Sequence, residues 1–230
     1  MKSKRVIVLS LGGSLIVPDK IDFVFLEKFK DALRKYYANY KFVIVCGGGS
    51  IARKYIDALK HEHKTEKELS LAGIRATRMN ARFMMQFFGK EANDTLPMDM
   101  KEVESNLHKN DIVICGALRY EERSTSDSTA AKLANYFKSD FINITNVGGL
   151  YTANPLTHKN AKFIPCQSWK NFEKRALALN FKAGQHFVLD QQAAVLIREH
   201  KIRTYIVGRD LRNLKGILDN KSFKGTIIEG

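Results

Sequence analysis

The residues best suited to chemistry in this chain are glycines that directly follow buried-strand patterns. Residues 42–45, FVIV, form a short apolar run rich in β-branched side chains, which predicts a buried strand, and CGGGS follows at 46–50. A helical pattern then begins, with Ile51, Ile56 and Leu59. Glycine loses the most backbone entropy on folding, so three together indicate a sharp turn close to something bulky. A strand, a glycine turn and a helix start present free backbone N–H groups to an anion.

A second glycine turn of the same kind lies nearer the N-terminus. Residues 5–9, RVIVL, predict another strand, and SLGGS follows at 10–14. Two such turns predict neighbouring parallel strands that share one ligand at their carboxyl ends. Neither turn is a P-loop, and Ala52 stands where the dinucleotide fingerprint needs its third glycine. A tight turn without any ligand remains the alternative for each segment.

The composition predicts one globular domain over residues 1–230. The net charge of +14 is spread along the chain without a basic run, which favours a solvated surface over nucleic-acid binding. A phosphate-rich small ligand is compatible with the same charge. Cys46, Cys115 and Cys166 are widely spaced and lack a CxxC pattern, which predicts a cytoplasmic protein with neither disulfides nor zinc.

Three weaker signals are interpreted as structural or surface features. The first 17 residues are positive and then apolar, but Gly12 and Gly13 interrupt them, so we predict no signal peptide. No apolar run reaches transmembrane length, and we predict no membrane association. His61 and His63 lie in a highly charged stretch that is typical of a solvated turn, so we predict no metal site there.

Alternating strand and helix patterns predict an α/β fold, a three-layer αβα sandwich with a mainly parallel central sheet. The predicted strands cover residues 5–9, 42–45, 111–115, 140–145, 204–208 and 225–228. The predicted helices cover residues 21–37, 51–60, 66–89, 129–137, 190–200 and 212–218. The helix over 66–89 carries methionine and phenylalanine side chains, including Met79 and Phe83, which indicates core or a subunit interface.

Seven segments in order resemble the amino-acid-kinase superfamily and, within it, the archaeal-type uridylate kinases. They are LGGS at 11–14, GGG at 47–49 with Arg53, TRMNA at 77–81, TSD at 125–127, TNV at 145–147 with YT at 151–152, AG at 183–184 with DQQAA at 190–194, and GT at 225–226. The resemblance covers almost the full length. It implies transfer of a phosphoryl group from ATP to UMP, giving UDP, with Mg²⁺ and in a homo-oligomer, usually a hexamer.

The resemblance also implies which residues contact each nucleotide. For ATP they are Gly12, Gly13, Ser14, Gly48, Gly49, Arg53, Thr145, Asn146, Tyr151 and Asn154. For UMP they are Gly47, Gly48, Ser70, Arg78, Gly116, Arg123, Ser124 and Thr125. Phosphoryl transfer needs positioning and charge neutralisation more than covalent chemistry, and backbone amides and guanidinium groups suit that task.

The implied catalytic residues are Asp127 and Lys182. Asp127, at a predicted helix start, would orient the site electrostatically, although the same position predicts a simple helix N-cap as the alternative. Lys182 would substitute for the superfamily's catalytic lysine, whose position holds Ser10. No side chain is implied as a metal ligand.

The acceptor side departs from the family pattern. Ser70 stands where the family usually has an aspartate for the UMP ribose, and the loop over 116–125 has lost most of the family sequence. Arg119 or Arg123 could bind phosphate there, or the loop is merely solvated. Three alternatives stay open: a kinase for another small acceptor such as isopentenyl phosphate, a non-catalytic nucleotide or anion binder, and, on charge alone, a nucleic-acid-binding protein.

Overall fold

The computed structural model of the protein describes residues 4–122, 124–155, 157–178 and 188–230. Two predicted site residues, Arg123 and Lys182, lie outside these ranges. The strands are β1 (Arg5–Leu11), β2 (Tyr40–Cys46), β3 (Ile112–Cys115), β4 (Phe141–Ile144), β5 (Leu150–Tyr151), β6 (Phe163–Ile164), β7 (Cys166–Gln167), β8 (Thr204–Val207) and β9 (Thr226–Ile228). The helices are α1 (Gly13–Ile16), α2 (Phe23–Arg34), α3 (Gly49–His61), α4 (Glu66–Phe88), α5 (Met100–Lys109), α6 (Ser126–Tyr136), α7 (Trp169–Leu177), α8 (Gln191–Glu199) and α9 (Leu211–Leu218).

Seven strands form the central sheet, in the order β3-β2-β1-β4-β8-β9-β7, and β5 and β6 form a separate antiparallel hairpin. The strands β3, β2, β1, β4 and β8 are all parallel, and β9 runs antiparallel to β8. The predicted mainly parallel sheet is confirmed. Because β1 lies between β2 and β4, the carboxyl ends of these three strands open at the same edge of the sheet.

The sheet is buried on both faces because its strands alternate apolar side chains between two helical layers. Ile7, Leu9 and Leu11 of β1 face a core shared with α1, α2, α4 and α9. Val8 faces a second core shared with α5, α6, α7 and α8. The helix α3 packs on α4 through a smaller apolar cluster that includes Ile56. A strand covered on both faces appears in the sequence as a continuous apolar run, and the main strands could be predicted for this reason.

Several elements escaped the sequence patterns. The helix α5 buries just Val103 and Leu107 among its residues, so its helical period is weak. The strands β5, β6 and β7 each have two residues, too few to show an alternation. Met79 on α4 is 64% exposed in the single chain and does not belong to the core, whereas Met84 on the same helix is fully buried. Among the described residues, no helix is both long and apolar enough to cross a membrane.

Candidate functional site

The two glycine turns pack against each other, backbone to backbone, at the carboxyl edge of β1 and β2. The Gly47 N–H donates a hydrogen bond to the Leu11 carbonyl at 2.9 Å. A Cβ atom on Gly13 would lie 2.3 Å from the Gly49 nitrogen and 2.5 Å from the Gly47 carbonyl oxygen. Gly49 also has a φ of +60°, which side chains rarely tolerate. The prediction that the turns meet at neighbouring strand ends is therefore confirmed.

A cavity of about 710 Å³ opens beside the two turns. Its lining contains most of the predicted site residues: Gly12, Gly13, Ser14, Gly47, Gly48, Gly49, Arg53, Ser70, Ser124, Thr125, Asp127, Thr145, Asn146, Tyr151 and Asn154. The helix α3 begins at this lining, and no described side chain caps its first turn, which leaves backbone N–H groups for a ligand. A pocket of this size suits a small ligand with several polar groups.

Arg78 and Gly116 are predicted acceptor contacts that do not line this cavity. The Arg78 Nε atom donates to the Ala117 carbonyl at 3.0 Å, and a second guanidinium nitrogen donates to the Leu118 carbonyl. A Cβ atom on Gly116 would lie 2.7 Å from the backbone nitrogen of Arg78. These contacts fasten the loop after β3 to α4, and burial lowers the pKa of Arg78. Their contact with an acceptor stays a prediction.

Two buried polar side chains of α4, neither of which has a predicted role, hold the backbone around the cavity. The Asn80 Nδ2 atom donates to the Gly47 carbonyl at 2.7 Å. The Thr77 hydroxyl accepts the Ala117 N–H at 2.9 Å and donates to the Ile74 carbonyl. Polar residues on an otherwise apolar helix face were the available signal, because buried polar groups require specific partners. The helix α4 thus holds both the turn after β2 and the loop after β3.

An acidic pair lies on the cavity lining where α6 and α8 begin. Asp127 is in the first turn of α6, and Asp190 is the N-cap of α8, 3% exposed. Burial, together with the charge of Asp190, raises the pKa of Asp127 to about 7. A hydrogen bond from the Ser10 hydroxyl to Asp127 Oδ1, 2.8 Å long, acts in the opposite direction. Asp127 is a predicted site residue, whereas Asp190, 63 positions further along the chain, has no predicted role.

Asp190 fixes the start of both helices through four hydrogen bonds. Its carboxylate accepts the Ala193 N–H at 2.7 Å, which caps α8. It also accepts the Ser128 N–H at 3.1 Å, the Ser128 hydroxyl at 2.6 Å and the Thr125 hydroxyl. The Thr125 hydroxyl in turn accepts the Asp127 N–H at 3.1 Å as the N-cap of α6. Each carboxylate oxygen of Asp190 therefore accepts two hydrogen bonds from the protein, and together they hold the starts of α6 and α8.

The far side of the cavity is built from the turn after β4 and from the β5–β6 hairpin. The Thr145 N–H donates to the Val207 carbonyl at 2.9 Å, which continues the sheet beyond β4. Tyr151 packs edge-on against Phe163, with ring centroids 5.4 Å apart. The Thr226 hydroxyl accepts the Leu150 N–H at 2.8 Å and thereby ties the hairpin to β9. This wall offers an aromatic ring and several neutral polar groups.

The cations on the described part of the lining are the guanidinium groups of Arg53 and Arg175. Arg53 follows the glycine turn on α3, as predicted, and both residues are partly exposed. Arg175, on α7, was not predicted because no motif marks it. Across the described residues, no group of three or more histidine, cysteine, aspartate or glutamate side chains could hold a metal ion. Beside the acidic pair, the lining therefore offers backbone amides and two cations, groups that suit a polyanionic ligand.

Comparison with known proteins agrees with this geometry. The model of the amino acid kinase family matches residues 5–208. The chain is 34% identical to the uridylate kinase of Thermococcus onnurineus over 97% of this chain and 99% of that protein. It is 35% identical to the uridylate kinase of Thermoplasma volcanium, covering 97% of each.

Solved structures give the same result for the fold. The crystal structure of the uridylate kinase from Archaeoglobus fulgidus superposes with a TM-score of 0.82 at 30% identity, covering 96% of this chain and 99% of that chain. The UMP kinase structure from Bacillus anthracis has a TM-score of 0.78 at 18% identity, covering 99% and 97%, and supports the fold alone. The chain belongs to the amino acid kinase family.

Proposed function

We propose that this protein is a uridylate kinase, which transfers the terminal phosphoryl group of ATP to UMP and releases ADP and UDP. One structural observation carries the proposal: the glycine turns after β1 and β2 touch at the rim of a single cavity. That cavity, of about 710 Å³, would receive the phosphates of ATP from one side and the phosphate of UMP from the other. The nearly full-length similarity to proteins named uridylate kinase supports UMP as the acceptor.

The donor phosphates would bind between the two turns. Backbone N–H groups of Gly13 and Ser14 and of the first turn of α3 would hold the phosphoryl oxygens, and Arg53 would neutralise their charge. The Gly12 N–H donates to the Ile144 carbonyl at 2.9 Å, so Gly12 would shape the turn. Such donors need no reorganisation during the reaction, because the backbone contact between the turns fixes them in advance. The transferring group carries its charge on equatorial oxygens, so positioning and neutralisation supply most of the catalysis. The wall at Tyr151 would receive the adenosine.

Asp127 would orient the reacting groups and would not accept a proton. The attacking atom of UMP is a phosphate oxygen, which is already anionic at neutral pH, so no general base is needed. With a pKa near 7, the Asp127 carboxyl is present in both charge forms at neutral pH. Ser70, Ser124 and Thr125 line the same cavity and would contact the acceptor. Lys182 keeps its proposed catalytic role from the resemblance and lies outside the described residues.

Mg²⁺ would enter with ATP, held by the nucleotide's own phosphates. When bound there, it supplies charge neutralisation between the phosphoryl groups. The oxygens of Asp190 are engaged by protein donors, and the described residues offer no cluster of metal ligands. We therefore assign no side chain of this protein to the metal.

We further propose that the chain is a cytoplasmic homo-oligomer, as the resemblance implies. The apolar side chains of Phe23 and Met79 are 56% and 64% exposed, and a contact between copies would cover such a surface. Three free thiols fit a reducing compartment. The molar mass in solution, measured by light scattering, tests the oligomer: a mass of one chain, 26.1 kDa, would contradict it.

An acceptor-specificity assay tests the proposed reaction. ADP release from ATP is measured with UMP, CMP, isopentenyl phosphate and acetylglutamate as separate acceptors, each with Mg²⁺. We expect turnover with UMP well above the other three. The same preparation carrying Asp127→Asn should lose turnover while keeping its affinity for ATP, which excludes a contaminating kinase. ATP binding without turnover on any acceptor would favour a non-catalytic nucleotide binder instead.

A further inference from the structure

We infer that Ser10 is a positioning residue of this site: its hydroxyl holds one carboxylate oxygen of Asp127 and leaves the other to face the cavity. The inference rests on the proposed function and assigns a role to a side chain outside the seven matched segments. Ser10 and Asp127 lie 117 positions apart, and their hydrogen bond is 2.8 Å long. Both residues line the cavity.

Ser10 occupies a position where packing alone favours an apolar side chain. It lies on β1 opposite Val45 of β2 and Asn143 of β4, and it is 1% exposed. Two positions earlier, Val8 points to the same face of the sheet and contributes to the apolar core there. A buried hydroxyl without a partner destabilises a fold. Ser10 avoids that cost through Asp127, so the hydroxyl and the carboxylate form a matched pair.

The two carboxyl groups of the acidic pair are held in different ways. Asp190 accepts four hydrogen bonds, from Thr125, twice from Ser128 and from Ala193. Among the described residues, the Ser10 hydroxyl is the one hydrogen-bond donor recorded to the Asp127 carboxyl. The terminal torsion of an aspartate is broad, so a single donor decides where its oxygens point. The orientation of Asp127 therefore depends on Ser10.

The charges around Asp127 explain why one neutral donor matters. Asp190 faces it from the start of α8 and disfavours its ionised form, as burial also does. Ser10 faces it from β1 and favours that form. Asn143 of β4 is neutral, and the cations Arg53 and Arg175 lie on the same cavity lining. Without the Ser10 hydroxyl, burial and Asp190 act unopposed, and Asp127 stays protonated to higher pH.

The test compares Ser10→Ala with wild type, using the full-length protein, ATP and UMP across pH 5–9. We expect kcat to fall about tenfold with KM for both nucleotides little changed, as for loss of one hydrogen bond to a charged group. We expect the acidic limb of the plot of kcat against pH to shift to higher pH by about one unit. Ser10→Thr keeps a hydroxyl, so its acidic limb should lie at the same pH as that of wild type. Tyr40→Phe removes a buried hydroxyl away from the cavity lining, bonded to the Leu218 carbonyl at 3.0 Å, and should leave the limb in place.

A second readout separates this inference from the proposed reaction. The Asp127 carboxyl carbon is titrated by carbon-13 NMR, with its signal assigned by its absence in Asp127→Asn. A higher pKa of Asp127 in Ser10→Ala supports the inference even if wild type proves inactive on UMP. An unchanged kcat profile together with an unchanged titration would overturn it. A uniform loss of activity and thermal stability with neither pH readout moved would also overturn it, because Ser10 would then serve packing alone.

Discussion

Replacing Asp127 with asparagine should make the protein more stable at alkaline pH while slowing its reaction. The carboxyl has a pKa of about 7 in the folded protein and about 3.9 in an unfolded chain. Between these values the unfolded chain has lost the proton that the folded protein keeps. Stability therefore falls as pH rises from about 4 to 7 and then levels off. Asparagine keeps an oxygen for the Ser10 hydroxyl and removes the titration.

The size of the effect follows from the same two values. A difference of about three pH units corresponds to about 4 kcal/mol, at 1.36 kcal/mol for each. Asp127 is partly exposed to the cavity, and water there lowers this ceiling, so we expect about 2 kcal/mol at pH 8. For a chain of this length, that gain raises the unfolding midpoint by about 4–8 °C. Near pH 4 the two proteins should unfold together.

Thermal and urea unfolding at pH 4.5 and pH 8, without nucleotide, measure the difference directly. Asp99→Asn is the matched control, because the Asp99 carboxylate accepts the Glu102 N–H at 3.0 Å as the N-cap of α5, and this bond lowers its pKa. A lowered pKa contributes stability that is present at high pH and lost as pH falls. Asp99→Asn should therefore slightly destabilise the protein at pH 8. If Asp127→Asn gave the same stability as wild type at both pH values, the assigned burial and charge repulsion at Asp127 would be refuted.

Three further substitutions test the architecture of the site. Gly13→Ala places a Cβ atom 2.3 Å from the backbone nitrogen of Gly49, so it should abolish ATP binding in calorimetry and lower the free energy of unfolding by about 1–3 kcal/mol. Gly12→Ala, whose Cβ would lie 3.1 Å from the Ile144 carbonyl oxygen, should weaken ATP binding less than Gly13→Ala does. Asp190→Asn leaves one acceptor oxygen for four donors and should lower the free energy of unfolding by about 1–3 kcal/mol, opposite in sign to Asp127→Asn at pH 8. Thr226→Val leaves the buried Leu150 N–H without its hydrogen-bond acceptor, so urea unfolding should show a free energy of unfolding lower by about 1–3 kcal/mol. An unchanged midpoint would mean that the hairpin does not depend on this bond.

The sequence alone determined the main strands, the two glycine turns and the family. These features are local: a strand buried on both faces must be apolar throughout, and a turn that touches another backbone must be glycine. The apolar runs at 5–9 and 42–45, together with the glycines that follow them, therefore predict both the sheet and the edge at which these strands end. The contact between Gly13 and Gly49 follows from two neighbouring parallel strands that end at the same level.

The pairing of the side chains around that edge depends on the tertiary fold. Ser10, Asp127 and Asp190 meet because β1, α6 and α8 converge at one end of the sheet, and no local pattern encodes that convergence. Arg78 lies in a family motif, yet its guanidinium group donates hydrogen bonds to the carbonyls of Ala117 and Leu118. Backbone propensity acts between neighbours in sequence, whereas a hydrogen bond or a pKa depends on whichever groups packing brings within a few ångströms. The sheet edge could thus be predicted from residue types, and the chemistry of its carboxylates could not.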